Sequence, residues 1–187
     1  MRFIWRYQGA AREFITSMKY RPSLKLCTLA AHELAQSVFE LFPFPDWDII
    51  VPLPSSSLSL KTRCFNQCLI LARALHFVLK GRSPARLEPS ALHHTGGRHP
   101  QASLAHNLRI HNVQGVFKAQ AHKVRGAHVL LVDDVITTGA TSAAAAAALI
   151  QAGAGPVDLI ALARAQVWEE YRHEIYRRIP RRIAIDS

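Results

Sequence analysis

Val129-Leu130-Leu131-Val132-Asp133-Asp134-Val135-Ile136-Thr137-Thr138-Gly139-Ala140-Thr141 is the stretch on which the fold turns. Its four leading apolar residues, with His128 before them, form a buried strand whose carboxyl end falls at Asp133. A Thr/Gly turn follows. A helix then runs from about Thr141 through Leu149 to Ala152, closed by Gly153, and residues 156–163 (PVDLIALA) make a second short apolar strand. Strand, turn, helix and strand in that order form a βαβ unit, so the expected fold is α/β, with a parallel sheet and helices on both faces. Open sheets of this kind bind ligands beyond the carboxyl ends of their strands, where Asp133 falls. The turn offers consecutive backbone N–H groups and the hydroxyls of Thr137, Thr138 and Thr141 at a helix mouth, which is a cradle for a phosphate. Gly139 lets the backbone come close. Two carboxylates beside a phosphate repel it unless they hold something else, and ribose hydroxyls, directly or through Mg²⁺, are the natural partners. The plainer alternative is a buried strand and a capped helix, with Asp134 and Thr137 as turn formers. No GxxxxGK[ST] or GxGxxG pattern occurs in the chain.

Outward from this unit, the pattern predicts a helix over about Ala10 to Met18 and another from about Leu24 to Phe42, ended by Pro43 and Pro45. Residues 48–51 (DIIV), bounded by Pro52 and Pro54, form a buried strand, and Phe65 to Leu79 a long helix with Gly81 as its stop. The chain is expected to be one domain over 1–187, with 1–45 as an N-terminal helical segment. Residues 81–117, rich in Pro, Gly, Ser and His, form a flexible basic flap with short pieces of structure. Trp168 to Ser187 suggests a polar helix and a closing edge strand at Ile183–Ile185.

The charge is uneven. The chain of 187 residues has a formal net charge of +10, and residues 51–128 hold 11 basic side chains against one acid, Glu88, with eight of the ten histidines. Such a basic middle fits a phosphate-bearing partner, nucleic acid or small molecule. The histidines of 93–111 match no metal-ligand spacing and suit a solvated basic loop. Cys27, Cys64 and Cys68 are odd in number, without framework spacing, and indicate a reducing compartment. Cys64 and Cys68 share a helical face with His76 two turns on. Zinc needs a fourth ligand and no CxxC pair exists, so no zinc is expected and the thiols count as small apolar residues. No apolar run of 18 residues occurs, so no membrane span is expected, and the start lacks the apolar core of a secretory signal.

The segment 129–141 resembles the 5-phosphoribosyl 1-pyrophosphate (PRPP) motif of the type I phosphoribosyltransferases. The resemblance implies a type I phosphoribosyltransferase-like parallel sheet flanked by helices, with a flap or hood. It assigns Asp133 and Asp134 to the ribose hydroxyls as the catalytic acids, and Thr137, Thr138, Gly139, Ala140 and Thr141 to the 5′-phosphate. Val51-Pro52-Leu53-Pro54 followed by Arg63-Cys64-Phe65-Asn66-Gln67 is similar to the VPxP…RGFNQ block of the ComF competence proteins. Gln101 to Leu104, Arg109, Asn112-Val113 and Gly115-Val116-Phe117 resemble a second block of that family, and Tyr7-Gln8-Gly9 with Lys19-Tyr20 resembles its opening. Many members carry a cysteine-rich zinc finger before that opening, and no cysteine precedes Tyr7 in this sequence. Cys64 stands where a glycine is usual, and Ser55 to Ser59 where basic residues are common. These departures bear on transferase turnover more than on PRPP binding.

Transfer of a phosphoribosyl group expels pyrophosphate through an oxocarbenium-like state, so cations and Mg²⁺ must hold the leaving charge. The family resemblance places Lys61 and Arg63 in the pyrophosphate loop, the alternative being a solvated loop. Arg109 and Asn112 either close over the ligand or fix the flap. Asn66 and Gln67 cap or tie down the helix after the loop. Two functions follow from different classes. One is a ComF-like competence factor acting in DNA uptake and natural transformation, in the cytoplasm, with single-stranded DNA and the uptake helicase or its machinery as partners. The other is an active phosphoribosyltransferase in nucleotide salvage. The basic middle serves both, since a pyrophosphate pocket and a DNA groove each need cations.

Overall fold

A computed structural model describes residues 1–20, 23–43, 45–56, 60, 65–96 and 115–165. The elements in chain order are β1 (Arg2–Arg6), α1 (Gly9–Tyr20), α2 (Leu24–Leu41), β2 (Ile49–Pro52), α3 (Gln67–Leu79), β3 (Arg86–Leu87), β4 (Leu92–His94), β5 (Phe117–Ala119), α4 (Ala121–Val124), β6 (Val129–Ile136), α5 (Ala140–Gln151) and β7 (Val157–Arg164). Five strands form a sheet in the order β1-β7-β6-β2-β3, and every pairing in it is parallel. β4 and β5 make a separate antiparallel ribbon.

The central strands are buried on both faces, which is why IIV and VLLV are continuous apolar runs rather than alternating ones. Ile50, Leu130, Val132, Ile160 and Leu162 face a layer built from α1, α2 and α3, including Met18, Leu34, Leu71 and Leu75. Ile49, Val51, Val129, Leu131, Leu159 and Ala161 face α5, through Ala145, Ala146 and Leu149, and the β4–β5 ribbon, through Leu92 and Phe117. The alanines of α5 let it lie close to the sheet. Two crossovers leave the middle of the sheet in opposite directions: β2 passes through α3 to β3 on one side, and β6 through α5 to β7 on the other. The crevice beyond the carboxyl ends of β2 and β6 is therefore the topological switch point, where sheets of this type hold ligands.

Asn66 builds one wall of that crevice. Its Oδ1 accepts from the Cys68 amide at 3.0 Å, capping α3, while its Nδ2 donates to the Leu53 carbonyl at 3.0 Å. At the other end of the sheet, His128 bridges Asp46 (3.1 Å) and Asp158 (3.0 Å), and Trp47 Nε1 donates to Asp158 at 2.9 Å. This network ties the strand starts together, away from the crevice.

The structure corrects several expectations. Residues 1–45 are not purely helical, because β1 pairs with β7 along the sheet edge. Its side chains are only half-buried and Arg2 and Arg6 flank the apolar trio, so no alternation marks it. β6 does not end at Asp133; it continues to Ile136, pairing Val135 with Ala163 and Ile136 with Arg164. Within the stretch expected to carry short pieces of structure, residues 81–96 hold β3 and β4, of two and three residues. The closing elements expected over 168–187 lie outside the described residues, as do 97–114 of the flap.

Candidate functional site

Strand alternation sends the two acids of β6 to opposite layers. Asp133 turns toward α5, where its Oδ2 accepts from Ser142 Oγ at 2.8 Å and its Oδ1 accepts from the Asp134 amide at 2.8 Å. Cys68 Sγ, from the first turn of α3, lies 3.9 Å from the same Oδ1. Asp134 turns toward α1, where Lys19 Nζ sits 3.0 Å from its Oδ1. The acids are 4% and 8% exposed, so both are buried carboxyls with few partners. One ligand atom from each of Cys68, Asp133 and Asp134 falls within 4.8 Å of the others.

Burial dominates their chemistry. It pushes the Asp133 carboxyl from 3.8 up to about 7, the Asp134 charge adds to the rise, and the Ser142 hydroxyl, the Asp134 amide and Lys19 pull it back. Burial likewise raises the Cys68 thiol well above its usual range, with Asp134 and Asp133 reinforcing the effect. Cys27 on α2 is pushed up to about 11 by burial and then by Asp134. Both thiols are therefore neutral at physiological pH and are poor nucleophiles and poor soft-metal ligands.

The turn after β6 is open where the acids are closed. Thr137 and Thr141 are exposed and Thr138 to Ala140 half-buried. Gly139 has φ +79° and stands at the N-cap of α5 without a side-chain capping bond. A Cβ there would meet only Ile136 Cγ2, at 3.8 Å, so the demand for glycine is conformational rather than steric. Thr138 Oγ1 accepts from the Ala140 amide at 3.3 Å, and the amides of Thr141 and Ser142 that follow have no intrahelical carbonyl to reach.

The structure thus brings Asp133, Asp134 and the turn residues Thr137, Thr138, Gly139, Ala140 and Thr141 to one end of β6. Lys61, Arg63, Arg109 and Asn112 lie outside the described residues. Three contacts of the acid pair, Lys19, Cys68 and Ser142, were not anticipated as site residues. Ser142 offered a signal, a polar side chain directly before the apolar run 143–150 of this helix, and it proves 3% exposed. Gln67, beside Cys68, is 1% exposed, and its Nε2 has no hydrogen-bond partner.

Against known proteins, the phosphoribosyl transferase domain model matches residues 28–180. The DNA utilization protein YhgH of Escherichia coli (strain K12) is 33% identical over 121 residues, covering 63% of this chain and 49% of that protein. YhgH of Salmonella typhi is 33% identical over 126 residues, covering 65% and 51%. The chain spans about half the length of these curated relatives. Among solved structures, an adenine phosphoribosyltransferase aligns over 83% of this chain and 78% of its own at 18% identity, with a TM-score of 0.48.

Proposed function

Since the chain belongs to the phosphoribosyl transferase domain family, we propose that Asp133, Asp134 and residues 137–141 bind PRPP with Mg²⁺, in a ComF-like protein that serves DNA uptake in the cytoplasm. The observation that carries this reading is the end of β6. Two buried carboxylates stand beside a partly exposed turn and a helix start whose N-cap glycine supplies no side-chain bond, at the switch point of a parallel sheet. The amides of the turn and of the first turn of α5 favour a 5′-phosphate. The carboxylates, unable to favour an anion, accept from the ribose hydroxyls. Relatedness to proteins named for DNA utilization supports the biological role, as does the basic stretch 51–128.

The acid pair also fits magnesium, in one particular way. Carboxylate oxygens suit a hard cation, but Cys68 is a neutral thiol and Asp134 is already paired with Lys19. These residues therefore suit an ion carried in by the ligand's own oxygens rather than one held in a protein cage. When bound, the ion would neutralise pyrophosphate charge. In the same reading Lys61 and Arg63 face the pyrophosphate, while Arg109 and Asn112 close over the ligand.

Calorimetry with PRPP, with and without Mg²⁺, tests the site on the wild type and on Asp133→Asn/Asp134→Asn. The reading requires Mg²⁺-dependent binding that the double variant loses; equal binding by both proteins would reject the assignment. Single-stranded DNA affinity measured against salt tests the partner. A log–log slope near zero would remove the basic middle as a DNA surface. Pyrophosphate release on adding a nucleobase would instead mark an active transferase.

A further inference from the structure

We propose that Lys19 is a ligand-contacting residue of the acid-pair site, holding Asp134 with one N–H and offering the others to anionic oxygens of a phosphoribosyl ligand. The inference rests on the PRPP reading above and adds a residue from a distant part of the chain. Lys19 is the basic residue in the last turn of α1, and its Nζ reaches to 3.0 Å from Asp134 Oδ1. The lysine side chain is 19% exposed and that of Asp134 11%, so the pair is largely out of water. An ammonium carries three donors, and among the described residues this one has no hydrogen-bond or ion-pair partner besides Asp134. Its charge also reaches the rest of the site, pulling both the Asp133 carboxyl and the Cys68 thiol downward.

A largely buried lysine side chain whose ammonium has one partner among the described residues keeps donors available for an anionic ligand entering from the crevice. A simple pin between α1 and β6 would need only the Asp134 contact, and it could stand anywhere along the strand. This one stands beside the two buried acids of β6, toward the carboxyl end of that strand. There it does two things for an anionic sugar phosphate. It offsets the negative charge of Asp134, which would otherwise repel the ligand. It also supplies a charged donor to the ribose or pyrophosphate oxygens from the layer opposite α5. The matching chemical class is a phosphorylated ribose bearing a second anionic group, not a neutral nucleoside.

The test is titration of Mg·PRPP into the wild type, Lys19→Met, Lys19→Arg and Asp134→Asn, with a thermal melt of each. Lys19→Met is expected to bind at least about tenfold more weakly, the lower end for a hydrogen bond to a charged group, and Lys19→Arg to recover most of the affinity. If Lys19→Met melts earlier yet binds as the wild type does, Lys19 is only a pin and the inference falls. If Asp134→Asn loses binding while Lys19→Met keeps it, the inference falls and the PRPP site stands. If the wild type shows no Mg²⁺-dependent binding, the site reading falls and takes Lys19 with it. Should Lys19→Met fail to fold, Lys19→Gln, which keeps two N–H donors on a side chain one bond shorter and carries no charge, is read by the same criteria.

Discussion

Replacing Asp133 by Asn should make the protein more stable at neutral pH while removing its ligand. The carboxyl is buried between the sheet and α5, and its proton leaves near pH 7 in the fold instead of near 3.8. The unfolded chain thus releases this proton in more acidic solution than the folded chain does. Stability from this group is greatest below about pH 4, falls as pH rises from about 4 to about 7, and is level above. At about 1.36 kcal/mol for each tenfold in proton affinity, a rise from 3.8 to about 7 is worth at most about 4 kcal/mol. Asparagine cannot ionise, and it can still accept from the Asp134 amide and donate to Ser142 Oγ, the two groups now bonded to Asp133. The assay is urea unfolding of both proteins from pH 4 to pH 8. Subtracting the two curves removes the contributions that the two proteins share. The difference should grow from well under 1 kcal/mol near pH 4 toward about 4 kcal/mol at pH 8 in favour of the Asp133→Asn variant. A difference that does not change with pH would refute the reasoning, because Asp133 would then be ionised throughout. Gain of stability with loss of Mg·PRPP binding is the trade expected when a buried charge is kept for function.

Asn66→Ala removes both the α3 cap and the bond to the Leu53 carbonyl. It should cost about 1–2 kcal/mol in chemical unfolding, the upper range for a cap, and an unchanged midpoint would contradict the role given to Asn66. Gln67→Met replaces a buried amide whose Nε2 has no partner. The variant should gain about 1 kcal/mol or more, since an unsatisfied buried donor disappears and the volume is kept; a lower melting temperature would show that the amide is satisfied in solution.

How far the sequence carried these conclusions varied with burial. The β6–turn–α5–β7 unit was legible because both strands are covered on two faces and glycine marks each change of direction. Helices α1 and α2 showed through their apolar stripes. β1 did not, since an edge strand with Arg at each end carries no alternation, and β3, β4 and β5 are too short to leave a pattern. In the site, Asp133, Asp134 and the turn are contiguous, so one motif contains them. Lys19 and Cys68 reach the same carboxylates from α1 and α3, and only the packing of those helices on the sheet brings them there. By its sequence context Cys68 is a small apolar residue. Its buried, neutral thiol matches that description, but its place beside Asp133 had no signal in the spacing.

The most direct test of the central claim is amide NMR during titration with Mg·PRPP. The account predicts that the largest saturable shifts fall on the backbone amides of Gly139, Ala140, Thr141 and Ser142, with Asp134 beside them, and that they vanish when Mg²⁺ is withheld. Saturable binding that leaves these amides unmoved would contradict it.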